Sequence, residues 1–160
     1  MQKLFIDRKA SDNKYLHKDF HVAFDRGLTY LALKYGGAAA DEYLAGFTVN
    51  HYAPLIENIK SNGLAALANH LTGVYAAEEA PRDLFITETE DALTVSVLKC
   101  PAVSYMRGIG YEPSEWFYKS ASVVYKTIAD ETGYGFEMVS YDRATGAAKF
   151  RFYKNQGGIK

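Results

Sequence analysis

Three residues near the N-terminus, His17, His21 and Asp25, recur at intervals of four. On an α-helix that spacing sets side chains one above another. Two imidazoles so placed can share one metal ion, and an imidazole beside a carboxylate can be oriented as a general base. All three cannot act at one point, because the Asp25 Cα stands about 12 Å along the helix axis from that of His17. The residues leave three readings open: a polar helix flank, an orienting or catalytic pair, and a two-histidine metal site.

The one cysteine, Cys100, stands before Pro101 at the end of an alternating apolar run. A free thiol there is either a small buried hydrophobe or a nucleophile at a strand end, where loops open. His51 and His70 fall within helical patterns and read as satisfied polar residues. Gly108-Ile109-Gly110 lacks the strand-to-helix setting of a phosphate-binding loop.

These groups depend on the elements that carry them. Ser11-Asp12-Asn13 offers N-caps, and Leu16, Phe20, Phe24, Leu28, Leu31 and Tyr35 follow as an apolar stripe that ends at Gly36-Gly37. The stripe predicts a buried face, with His17, His21 and Asp25 at its flank, beside a cavity. A second helix is expected from Ala38 to His51, with Pro54 either kinking it or opening a third. Leu64, Leu67, Leu71, Val74 and Tyr75 define another. Beyond Pro81 the apolar period changes from helical to two, which predicts strands near 83–90 and 92–100. A short helical turn (102–107) and a helix from Pro113 to Gly133 precede strands near 134–142 and 147–154. Asp142-Arg143-Ala144-Thr145-Gly146 joins the last two strands as a turn. The fold class is α+β, a single domain over residues 1–160. A helical N-terminal half packs on a C-terminal antiparallel sheet in ββαββ order.

Composition narrows the function. The net charge is −1 and the basic residues are scattered, so nucleic acid is not an expected partner. Lys149, Arg151 and Lys154 read as a solvated strand face. A lone cysteine excludes a disulfide framework or a cysteine-cluster zinc site. With no signal-peptide core in MQKLFIDRKA and no membrane-length apolar run, the expected location is cytoplasmic, with no membrane partner. Thirteen tyrosines and nine phenylalanines serve strand packing first and a ring-lined pocket second.

The run Tyr15-Leu16-His17-Lys18-Asp19-Phe20-His21, with Pro54-Leu55-Ile56-Glu57 and Lys99-Cys100-Pro101-Ala102-Val103, resembles the L-2-amino-thiazoline-4-carboxylic acid hydrolase-like family. Glu131-Thr132-Gly133-Tyr134 and Phe150-Arg151-Phe152-Tyr153 extend the resemblance to about residue 154. It implies a hydrolase that opens a small cyclic amidine- or thiazoline-like ring at its C=N carbon, with no cofactor. His17 or His21 would activate water, or Cys100 would attack, with Asp25 orienting His21. Tyrosines such as Tyr105, Tyr125 and Tyr134 would hold the substrate. The second half also resembles the 4-vinyl reductase domain, where a hairpin ending in Cys-Pro precedes a helix and a closing strand pair. That likeness implies a small-molecule-binding or sensing domain without turnover. A homo-oligomer is left open.

Overall fold

The computed structural model describes residues 16–155, with side chains from residue 20 onward. The cap expected at Ser11-Asp12-Asn13 and the tail beyond Asn155 lie outside the described residues. Four helices fill the first half: α1 (Leu16–Tyr35), α2 (Gly37–His51), α3 (Ala53–Asn62) and α4 (Leu64–Ala77). The second half runs β1 (Leu84–Glu88), β2 (Ala92–Val97), α5 (Pro101–Gly108), α6 (Glu115–Thr132), β3 (Tyr134–Tyr141) and β4 (Ala148–Lys154). The α+β class and the antiparallel sheet of two strand pairs hold, with two helices, α5 and α6, between the pairs where one was expected. Among the described residues no helix is long and apolar enough to cross a membrane.

Helix boundaries follow local chemistry. Pro54 starts α3 and does not bend α2, since proline is tolerated in a first helical turn where its missing N–H would have no partner. Tyr52 carries the corner: its N–H donates to Thr48 O and its carbonyl accepts from Ile56 N–H. α6 opens on Ser114, whose side chain accepts from Trp116 N–H, and closes on Gly133 in the left-handed conformation. The turn expected at 102–107 is a full eight-residue helix, α5, with Pro101 in its first turn.

The sheet has the order β1-β2-β4-β3, every neighbouring pair antiparallel. Leu93 pairs Phe152 and Val95 pairs Phe150, so their side chains share the inner face. There they meet α3, α4 and α6 through Ile59, Leu67 and Ile128 in one apolar core. A side chain of this size, buried as fully as Phe152, contributes about 2–3 kcal/mol. On β3, Tyr134, Phe136 and Met138 face inward too. Met138 then pairs Phe150 while Ser140 pairs Lys149, which leaves Val139 as an extra residue in a β-bulge. Past it, Tyr141 pairs Ala148 and returns to the inner face, which plain alternation would have denied it.

One expectation fails on α1. Within the apolar stripe Leu28 is buried (1% exposed), but Phe20 and Tyr35 are 52% and 59% exposed, whereas the flanking Asp25 is 0% exposed. The buried line runs along Asp25 and Leu28. The helix has turned its polar flank toward α6 because a buried hydrogen-bond network satisfies Asp25 there.

Candidate functional site

A cleft of about 120 Å³ opens where α5, the N-terminus of α6 and the end of β3 converge. Val103 on α5, Pro113 and Ser114 ahead of α6, and Phe117 and Tyr118 in its first turns form the walls. Tyr141 and Arg143 close it from the β3–β4 side, and Glu112 and Glu115 add two carboxylates.

The wall before α6 is fastened from behind. Both Asp25 oxygens accept: one from Tyr111 Oη (2.9 Å) and Ser114 N–H (2.8 Å), the other from Ser114 Oγ. Ser114 Oγ in turn accepts from Trp116 N–H at 3.0 Å and lies 3.1 Å from the Thr29 hydroxyl. With its proton on Asp25 and its lone pairs facing those donors, this hydroxyl is a cap and not a free nucleophile. A buried carboxylate is tolerated because it is fully hydrogen-bonded.

The opposite wall depends on the bulge. Tyr141, turned inward, meets Tyr118 with ring centroids 4.5 Å apart at 45°. The Arg143 guanidinium lies over the Tyr118 ring, 5.4 Å from its centroid. Burial pushes the Tyr141 hydroxyl up to about 12; Cys100, Tyr118 and Asp142 add to this and Arg143 opposes it. The turn itself is rigid: Asp142 accepts from Ala144 N–H (3.0 Å) and the Thr145 hydroxyl (2.6 Å). Those bonds, the Thr145 hydroxyl foremost, hold the Asp142 carboxyl below its usual range. Arg107 pairs with Glu112 and also donates to the Arg143 carbonyl at 3.4 Å, tying the turn to α5.

The residues singled out from sequence are spread around this cleft. His21 is partly exposed and meets Phe117 edge-on at 6.1 Å, directly behind one cleft wall. The His17 imidazole lies outside the described side chains. Asp25 serves Tyr111 and Ser114. Cys100 precedes α5, its N–H donating to Thr145 O at 3.0 Å. Burial pushes its thiol above the usual range, only partly offset by the Val103 and Ala102 N–H groups at the start of α5. Tyr125 belongs to the core, stacked on Phe150 at 4.6 Å, with burial raising its hydroxyl. Tyr134 opens β3 against the core, and Tyr105 sits half-buried on α5. All three tyrosines stand outside the lining of this cleft.

Sequence reasoning missed Tyr118, Tyr141 and Arg143. The turn carrying Arg143 was legible from Asp142 and Gly146, but Tyr141 was assigned no face because the bulge that re-aims it has no sequence signature here. Among the described residues, no group of three or more His, Cys, Asp or Glu stands close enough to hold a metal ion. No family model, curated protein or solved structure matches the chain.

Proposed function

We propose that this chain is a small-molecule-binding domain whose ligand sits in the cleft between α5, α6 and the β3–β4 turn. The observation that carries the reading is the Val139 bulge, which rotates Tyr141 onto Tyr118 beneath Arg143. Bulges of this kind are enriched beside sites because they re-aim one side chain. The result is a small concavity in which the rings of Phe117, Tyr118 and Tyr141 stand beside the charged groups of Glu112, Glu115 and Arg143.

Hydrolytic opening of a cyclic C=N ring finds less support. The route in which Cys100 attacks would need a thiolate, yet burial raises that thiol. The route in which His21 activates water would have Asp25 orient the imidazole, yet the carboxylate serves Tyr111 and Ser114. A fragment screen read by amide chemical shifts tests the binding reading. Hits should map to residues 112–118 and 141–143, and Tyr141→Ala should abolish them without unfolding the chain. Hits that map elsewhere, or that survive Tyr141→Ala, would sink it. Mass spectrometry of each incubated hit should return it unchanged; a ring-opened product would restore the hydrolase reading.

A further inference from the structure

We propose that the cleft recognises a small organic cation, a substituted ammonium or a group of similar charge and shape. This rests on the reading of the cleft as a ligand site and adds the class of ligand. The argument starts from what already occupies the ring face. The guanidinium of Arg143 stands over Tyr118, so one of the protein's own side chains fills the place where a cation meets the negative face of a ring. Tyr141 meets Tyr118 at 45° with ring centroids 4.5 Å apart, and Phe117 lines the same cleft. Glu112 and Glu115 line the same space. Glu112 is engaged by Arg107; Glu115 sits in the first turn of α6.

Arg143 is suited to yield. It projects from an exposed turn, and Arg107 holds its backbone carbonyl, not its guanidinium. Its side chain can swing into solvent while the turn stays in place. An alkylated ammonium brings more apolar surface to the rings than a guanidinium does, and sheds its water more readily than an unsubstituted one. Arg143 thereby acts as a built-in competitor for the cation position. An anionic ligand would use Arg143 as its partner, so the two classes predict opposite effects of removing it.

The experiment titrates choline, its uncharged carbon isostere and acetate into the isotopically labelled chain. Choline should give saturable shifts at residues 115–118 and 141–143, with the isostere weaker by about tenfold. Arg143→Ala should tighten choline binding several-fold, and Tyr118→Leu, folded by circular dichroism, should weaken it by about tenfold. Equal binding of the isostere, weaker choline binding in Arg143→Ala, or no saturable choline response would overturn the proposal. If acetate binds the cleft and loses affinity in Arg143→Ala, the ligand site stands with an anionic occupant. If neither these probes nor any screened compound perturbs the cleft, the ligand site itself is lost.

Discussion

Gly146 lies so close to Cys100 that a β-carbon built on it would overlap the Cys100 Cβ and press on Val103. Its φ of +69° already belongs to the left-handed region that side chains resist. Gly146→Ala should therefore cost about 2–4 kcal/mol in urea unfolding, combining backbone strain with overpacking. Cys100→Ala should not rescue it, because the offending β-carbon remains, whereas Cys100→Gly should recover part of the loss. A cost below about 1 kcal/mol would mean that the turn does not sit on Cys100 as described.

The same contact governs the thiol's reactivity. Burial raises Cys100 above the usual thiol range, so iodoacetamide should label the native protein slowly near neutral pH and faster only in alkali. His21→Ala should leave the profile unchanged. Rapid neutral labelling that slows in His21→Ala would instead reveal an activated Cys–His pair.

Asp25 should matter more to stability than any exposed charge. Asp25→Ala strands three donors, from Tyr111 and Ser114, and should cost about 3 kcal/mol or more. Asp25→Asn fills the space but turns an amide N–H₂ toward donors, so it should recover only part. Amide exchange in the first turn of α6 should accelerate in both. A neutral Asp25→Asn would remove the case for the clamp.

Stability should fall on both sides of neutrality. Burial, with His51 adding to it, lowers His70 below its ordinary 6.5. The unfolded chain then binds the proton more readily, so this contribution is full above that value and is lost as pH falls through the depressed one. Burial raises the hydroxyls of Tyr75, Tyr125 and Tyr141 above the ordinary 10. Their contribution is full below that value and is lost as pH climbs past it. Urea midpoints across pH should show both limbs, with His70→Gln flattening the acid one and Tyr125→Phe the alkaline one. An unchanged acid limb in His70→Gln would assign it to another group.

The sequence makes the architecture readable where one period dominates. The alternation of Leu93, Val95 and Val97 fixes an inner face, and the cap and stop residues of α6 fix its ends. It misleads on α1, where hydrophobicity points to Phe20 and Tyr35 while hydrogen bonding buries Asp25. That network joins residues nearly ninety positions apart, through Tyr111 and Ser114, and no local pattern announces it. The cleft is hidden for a similar reason. It takes walls from α5, α6 and the β3–β4 turn, and its key ring depends on a register shift that propensity does not encode.

That register shift makes the end of β3 a matter of parity. Faces along a strand are assigned by odd and even count, and Val139 is the single residue that changes the count before Tyr141. Removing Val139 would leave Ser140 opposite Lys149 and Tyr141 opposite Ala148, so both would keep their faces. Drawing Val139 into regular pairing would instead exchange inside for outside over the last residues of the strand, sending Tyr141 into solvent and Ser140 toward Tyr118. One residue between Met138 and Tyr141 can thus be lost without changing the face that Tyr141 presents, a latitude that substitution at any one of these positions would never reveal.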